Sequence, residues 1–252
     1  MKLSEYKKYG LIPLREEKSN YDKIHIYVGG FLSRNINYTF SEWFENMKHL
    51  ISVDDNIYLF NWDSGLDYTN IQNINFDTIN IKRIVPFAFT RFNPASLIIL
   101  LSQVIWSWEE ANIKSKFYAK KLQKELLKFD TNKISLYSHS LGTKLVKNTL
   151  LELEFKKRKI DNLYLFGGAT NSEDLARWKA VSKTVNNKFY NFYSENDEIL
   201  KKIYKLAELG KKPIGLNILK IDNCRNIDVS YTVNGHFEYK NNLPTIFRNL
   251  QS

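Results

Sequence analysis

The chain has 252 residues, 43% of them hydrophobic, which suits one α/β domain with a large buried core. Its net charge of +10 permits attraction to anionic lipid or nucleic acid, but the lysines lie on several amphipathic segments without a nucleic-acid motif, so no nucleic-acid partner is predicted. Because Cys224 is the only cysteine, an internal disulfide and a cysteine-rich zinc cage are excluded, and a cytoplasmic location is predicted.

Apolar runs typical of strands alternate with helical patterns along most of the chain. Strands are predicted at 24–28, 57–62, 134–137, 163–166, 189–193 and 216–221. Helices are predicted at 41–50, where apolar residues recur at helical spacing, and at 141–155. Such alternation indicates the α/β class, with a mainly parallel sheet covered by helices on both faces. In such sheets chemistry gathers at the carboxyl ends of the strands, where the functional residues are therefore expected.

The middle of the chain departs from this pattern. Residues 63–93 are rich in Asn, Asp and Thr and predict a surface excursion of a single domain that spans 1–252. A long helical segment is predicted at 94–128, and its first part, 94–108, is strongly apolar. The most apolar window, 97–106, is too short to cross a bilayer, which needs about 20 residues. Two interpretations of 94–108 stay open. It is either a helix start buried against the sheet, or a lid or membrane-contact patch aided by the positive charge of the chain.

The segment ISLYSHSLGTKLVKNTLLEL predicts a strand, a sharp turn and a helix, with Ser140 on the turn. In α/β-hydrolases the nucleophilic serine sits on such a strained turn, and small residues two positions before and after it let the backbones approach closely. Here these residues are Ser138 and Gly142, which gives S-x-S-x-G in place of G-x-S-x-G. Ser140 is therefore the predicted nucleophile, and the alternative is a serine that only caps the following helix.

A serine nucleophile needs a base within hydrogen-bond reach, and the chain has four histidines. His25 lies in the first strand, His49 in an early helix, and His139 adjoins Ser140 on a turn that does not aim neighbouring side chains at one another. His236 remains, on a Gly-His turn near the end of the chain. The order serine, acid, histidine is the order of this fold, so His236 is the predicted base.

The acid that orients the histidine should follow a strand between Ser140 and His236. Asp197, in FYNFYSENDEIL, meets this condition and is the predicted acid. Asp228, only eight residues before His236, is the runner-up. A third interpretation has Asp197 as no more than the cap of a helix that begins near residue 198.

A tetrahedral intermediate needs preorganised N–H donors for its oxyanion. One donor is predicted at Leu141, the residue after the nucleophile. The other is predicted in the loop after the first strand, at Gly30 or Phe31, with an ordinary strand-ending turn as the alternative.

From His25 to Phe247 the chain resembles the transmembrane-and-coiled-coil-domain proteins, an α/β-hydrolase-like family of unestablished function. The resemblance rests on YVGGFLSR, YLFNWDSG, YSHSLGTKLV, LYLFGGATNSED, FYNFYSENDEIL and NIDVSYTVNGHFEY, in this order. Its S-x-N-D and V-x-G-H-x-x-Y elements are similar to the acid and histidine segments of the family, which implies Asp197 and His236 beside Ser140. The chain departs from the family at Ser138, where glycine is usual, and it largely lacks the hydrophobic segments of eukaryotic members.

These observations predict a serine hydrolase that cleaves a carboxylic ester, lipid-like or acyl, through an acyl-serine intermediate. No metal or organic cofactor is implied. The alternatives are an acyltransferase or thioesterase with the same three residues, and a binding or scaffolding module on a hydrolase fold. The predicted partners are the small ester substrate and, at the periphery, an anionic membrane.

Overall fold

Seven strands form one sheet in the structure, a computed structural model that describes residues 9–30, 43–48, 50–64 and 94–250. The strands are β1 (Gly10–Pro13), β2 (Ile24–Val28), β3 (Asn56–Asn61), β4 (Ile134–His139), β5 (Ile160–Phe166), β6 (Val185–Tyr193) and β7 (Arg225–Asp228). They lie in the order β1-β3-β2-β4-β5-β6-β7. Strand β1 runs antiparallel to β3, and the other pairs are parallel.

Helices cover both faces of this sheet. They are α1 (Pro94–Leu126), α2 (Gly142–Phe155), α3 (Leu175–Ser182) and α4 (Tyr239–Arg248), with a π-helix at Leu200–Tyr204 continued by a helical turn at Lys205–Ala207. Residues 43–47 are also helical, and Ile214–Leu216 form a 3-10 turn. The mainly parallel sheet, its helical layers and the strand-turn-helix at β4 and α2 confirm the predicted α/β-hydrolase fold.

The two faces of the sheet differ in chemistry because alternate residues of each strand point to opposite sides. One face is mostly aliphatic and packs under α1, α2 and α3, with Ile26 and Leu136 at its centre. The other face is aromatic and packs under α4 and the helical residues 43–47. On that face Tyr137, Tyr164 and Tyr190 occupy matching positions of three neighbouring strands and stack with ring centroids 4.8 and 5.7 Å apart.

The predicted strand at 216–221 is wrong. The strand that pairs with β6 is β7, and the preceding segment is irregular although Leu219 and Ile221 are buried. The side chain of Asn226 holds that segment, because its amide accepts from the Leu219 N–H at 2.6 Å and donates to the Leu219 carbonyl at 2.9 Å. The apolar residues there reflect burial against the core and not strand pairing.

The long predicted helix is present as α1, which is continuous through the change from apolar to polar sequence. At the end of the apolar part Trp108 is buried whereas Trp106 is 72% exposed, so the helix has one packed and one open side there. The side chains of residues 94–105 lie outside the described part of the chain. The excursion at 63–93 falls mainly on residues that are likewise not described, and the single domain over 1–252 stays a prediction.

Candidate active site

Ser140 lies on the turn between β4 and α2 with a φ of 55°, in the left-handed region that non-glycine residues seldom occupy. Backbone hydrogen bonds hold it there. The Ser140 N–H donates to the Phe166 carbonyl at 3.1 Å, and the Ser140 carbonyl accepts from Thr143 at 3.1 Å and from Ala169 at 3.0 Å. The turn is thus fastened to the end of β5, which fixes the direction of the serine side chain.

The residues two positions from Ser140 differ in how they fit the turn. A Cβ at Gly142 would lie 2.5 Å from the carbonyl oxygens of both Val28 and Gly29, so no larger residue fits there without a shift of the backbone. Ser138 occupies the other position, where its buried hydroxyl lies 3.1 Å from the hydroxyl of Thr143. The departure from glycine is therefore accommodated by a polar partner.

The structure brings the three predicted side chains together at the carboxyl ends of the strands. His236 Nε2 lies 2.8 Å from Ser140 Oγ, and His236 Nδ1 lies 2.6 Å from Asp197 Oδ2. All three residues are buried. Because an ionised carboxylate only accepts hydrogen bonds, it places the imidazole proton on Nδ1 and leaves Nε2 to accept from the serine hydroxyl.

The alternatives raised for Ser140 and Asp197 have different outcomes. Helix α2 has no side-chain cap, and the hydroxyl of Ser140 contacts His236 instead. Asp197 does cap the next helix, because its Oδ1 accepts from the Leu200 N–H at 3.0 Å, while its Oδ2 faces the histidine. The runner-up, Asp228, is exposed and accepts instead from the N–H and hydroxyl of Ser230.

Two polar residues of the acid loop tie it to the loop that carries the histidine. The Ser194 hydroxyl donates to the Val233 carbonyl at 2.6 Å, and the Asn196 amide donates to the Ser230 carbonyl at 2.7 Å. Both bonds fix the separation of Asp197 from His236. Sequence reasoning used the S-x-N-D element only as a family likeness and assigned no role to its serine and asparagine.

His139, which the sequence excludes as the base, holds the backbone of His236 by a hydrogen bond. Its Nε2 donates to the His236 carbonyl at 2.9 Å, and the two ring centroids are 4.7 Å apart. Its ring also lies near those of Trp43 and Tyr239. Burial lowers the pKa of His139 well below its usual range, and the neighbouring His236 lowers it further. His139 is therefore neutral at physiological pH and acts as a hydrogen-bond donor.

We expect the buried His139 to make the fold less stable in acid. The unfolded chain binds a proton on this imidazole near pH 6.5 and the folded chain does not, so the free energy of unfolding falls as the pH drops below about 6.5. Between about pH 7.5 and about pH 5.5 the loss from this residue is on the order of 1 kcal/mol. Urea unfolding at both values should show a smaller difference for His139→Gln than for the wild type. An equal difference in the two proteins would contradict this assignment.

The predicted oxyanion donors are described in part. Within the described part of the chain the Leu141 N–H donates no hydrogen bond, so it is available at the start of α2. Gly30 packs against the serine, since a Cβ there would lie 2.4 Å from Ser140 Cβ and 3.0 Å from its Oγ. Phe31 lies outside the described residues. Their role as donors stays a prediction.

Substitution of Gly30 should impair the site sterically. Gly30→Ala forces the serine or the strand end to move, and a displacement on the order of 1 Å costs about 100-fold in kcat/KM. Gly235→Ala is the matched control, because a Cβ at Gly235, next to His236, meets no atom within 4 Å. Ester hydrolysis by the two variants tests this expectation, which fails if both retain wild-type activity.

A metal or membrane-spanning helix is not indicated by the described residues. Within them no group of three His, Cys, Asp or Glu side chains is placed to hold a metal ion. In the same part of the chain no helix has both the length and the mean hydropathy that a membrane span requires.

Fold and site geometry together define an α/β-hydrolase-like protein with a buried serine-histidine-aspartate arrangement. The chain belongs to the family described as "Protein of unknown function (DUF726)", whose model matches residues 2–252.

Two curated relatives add to this assignment. The chain is 27% identical over 163 residues to "Transmembrane and coiled-coil domain-containing protein STS1" of Oryza sativa subsp. japonica. This alignment covers 63% of this chain and 24% of that protein. It is 28% identical over 123 residues to "Probable lipase MIL1" of Saccharomyces cerevisiae. This second alignment covers 46% of this chain and 11% of that protein. The first confirms the predicted family resemblance. The alignments span less than a quarter of either relative.

Among solved structures the chain is similar to esterase PE8, with 12% identity, a TM-score of 0.47, and coverage of 96% of this chain and 97% of that one.

Proposed function

We propose that this protein is a serine hydrolase that cleaves a carboxylic ester with a lipid-like or other acyl group. The observation that carries the proposal is the buried chain of two hydrogen bonds, Ser140 to His236 and His236 to Asp197, with the serine on a left-handed turn. All three residues are buried, and hydrogen bonds between buried groups are stronger than in water. A relative named as a lipase agrees with the proposed reaction class.

Each of the three side chains has a role in the proposed reaction. As Ser140 Oγ attacks the ester carbonyl carbon, its proton passes to His236 Nε2, and Asp197 stabilises the imidazolium that forms. The carbonyl oxygen becomes an oxyanion, and the proposed donors to it are the Leu141 N–H and an N–H at Gly30 or Phe31. Collapse of this intermediate breaks the bond to the alcohol, which leaves with the proton from His236. Water then attacks the acyl-serine, again with His236 as base, and releases the acid and the free serine.

The substrate of this proposal is a small ester, and an anionic membrane would supply esters of the lipid-like kind. A cytoplasmic location belongs to the same proposal. An acyltransferase or a thioesterase would use the same acyl-serine and would differ only in the acceptor or in the leaving group. A binding module would keep the fold without turnover.

A panel of p-nitrophenyl esters from acetate to palmitate, with acyl thioesters beside them, tests the proposal. We expect kcat/KM to rise with acyl length and the free acid to be the product. A marked preference for thioesters would assign a thioesterase, and acyl transfer to an added alcohol would assign an acyltransferase. A folded protein that turns over none of these compounds contradicts the hydrolase and favours the binding module.

A further inference from the structure

Helix α1 runs parallel to α2 and extends beyond it at the end of the molecule that carries Ser140. Near the start of α2, Asn112 of α1 and Lys144 of α2 both donate to Glu208 Oε1, at 3.2 and 2.7 Å. Farther along, the Thr149 hydroxyl donates to the Ala119 carbonyl at 3.2 Å. The two helices therefore advance in the same direction, and residue 108 is level with the nucleophile turn. At 1.5 Å per residue, α1 continues roughly 20 Å past that level to Pro94.

Large apolar side chains are open to solvent at this end. Trp106 is 72% exposed, Ile113 is 69% exposed and Leu209 is 92% exposed, and we call these three residues the apolar rim. Trp106 and Ile113 are seven residues apart on α1 and so face the same side of the helix. Leu209 and Ile113 line one cavity. The rim is thus a joint surface of α1 and the turn after the helical residues Lys205–Ala207.

The conformation of Leu209 is unfavourable in two ways that packing does not explain. Its φ is 52°, in the left-handed region where a helix end usually has glycine. Its side chain is almost wholly exposed, so no core contact offsets the strain. This exposed leucine, at the tip of a turn, adds to the apolar surface of the rim.

The cavity that Ile113 and Leu209 line is polar on its other sides. Its volume is about 350 Å³, and Lys116, Lys144 and Lys211 line it together with Glu109 and Glu208. The Glu208 carboxylate is already engaged by two of these lysines, Lys144 at 2.7 Å and Lys211 at 3.1 Å.

The segment that carries Leu209, residues 201–212, has five lysines and one glutamate. Four of these lysines form ion pairs, Lys201 and Lys202 with Glu198, Lys211 with Glu208 and Lys212 with Glu173, so the segment keeps an excess of positive charge over its three acidic partners. A cationic surface beside exposed tryptophan, isoleucine and leucine suits the boundary between lipid headgroups and acyl chains.

We propose that the apolar rim and this cavity dock on the surface of an anionic membrane. The rim inserts at the level of the acyl boundary, and the lysines lie against lipid phosphates. This orientation turns the end of the molecule that bears Ser140 toward the lipid. That the surface delivers a lipid ester to Ser140 rests on the proposed function, whereas the docking itself does not.

Sedimentation with vesicles of phosphatidylcholine and about 30% phosphatidylserine tests the docking, with Ser140→Ala used so that hydrolysis cannot alter the lipid. We expect binding near 0.1 M salt that weakens in about 0.5 M salt and on vesicles of phosphatidylcholine alone. The double substitution Trp106→Ser and Leu209→Ser should weaken binding about tenfold. Its matched control is Val53→Ser with Phe155→Ser, which are 72% and 79% exposed and lie outside the rim.

A second pair of variants separates the local surface from the overall charge of the chain. Lys116→Glu reverses a charge at the cavity, and Lys156→Glu reverses an exposed charge at the far end of α2. We expect the first to weaken vesicle binding at least about fivefold more than the second. Equal losses from the two pairs, or a wild type that does not sediment with the vesicles, would overturn the proposal.

Hydrolysis of a short soluble ester distinguishes failure of the docking from failure of the proposed function. The rim variant should cleave p-nitrophenyl acetate at the wild-type rate, since the hydrogen bonds that join Ser140, His236 and Asp197 involve no rim residue. Hydrolysis without vesicle binding would refute the docking alone. Vesicle binding without hydrolysis of any ester would support the docking and refute the proposed function.

Discussion

Replacement of Ser140 by alanine should lower kcat for ester hydrolysis by about 10⁶-fold, because the acyl-serine can no longer form. The fold should persist, since the backbone bonds that hold the turn involve only the N–H and carbonyl of this residue. Alanine at a φ of 55° is no less strained than serine, so the change removes the hydroxyl and little else. Steady-state kinetics with a p-nitrophenyl ester, alongside thermal unfolding, measure both effects.

Ser138→Ala is the matched control for this variant. Ser138 is also a buried serine of the same segment, but its hydroxyl faces Thr143 and not the histidine. We expect it to lose about 1 kcal/mol of stability from one neutral hydrogen bond and to keep kcat within a few fold. Similar activity losses in the two variants would mean that the turn, and not the Ser140 hydroxyl, is what matters.

Asp197→Asn should lower kcat by about 10⁴-fold. An asparagine amide no longer holds the imidazole proton on Nδ1, and it cannot stabilise the imidazolium that forms when Ser140 is deprotonated. The amide oxygen can still accept from the Leu200 N–H, so the start of the following helix is preserved. Kinetics with the same ester, and unfolding to verify the fold, measure the expected separation of activity from stability.

The runner-up acid supplies the control for that experiment. Asp228 is exposed and its carboxylate is occupied by Ser230, so Asp228→Asn should leave kcat unchanged within about twofold. An activity loss in Asp228→Asn equal to that in Asp197→Asn would show that the geometry around His236 does not identify the acid.

Much of the architecture was accessible from the sequence because the central strands are buried on both faces. Continuous apolar runs such as IHIYV mark strands of this kind, and β2 was predicted with its observed bounds. The turn at Ser140 was accessible because strand, small residues and helix follow each other without a gap. The order of the residues along the chain then selects His236 as the candidate base among the four histidines, and the structure has it next to Ser140.

The remainder depended on contacts between distant segments. Apolar residues at 216–221 resemble a strand, but the side chain of Asn226 holds the backbone of that segment in an irregular form. The edge strand β1, GLIP, is not predicted from the sequence. It is only four residues long and contains glycine and proline, so it has no alternating pattern of apolar and polar residues. The hydrogen bond from His139 Nε2 to the His236 carbonyl joins residues 97 positions apart in the sequence, so no local sequence pattern predicts it.

Labelling with a fluorophosphonate probe is the most direct test of the central claim, that Ser140 is an activated nucleophile. The probe reacts with a serine whose proton is removed by a neighbouring base. The proposed base, His236, has its Nε2 2.8 Å from Ser140 Oγ. We expect one adduct on wild-type protein, mapped by mass spectrometry to the peptide with Ser140 and absent from Ser140→Ala. No adduct on folded wild-type protein, or equal labelling of Ser140→Ala, would contradict it.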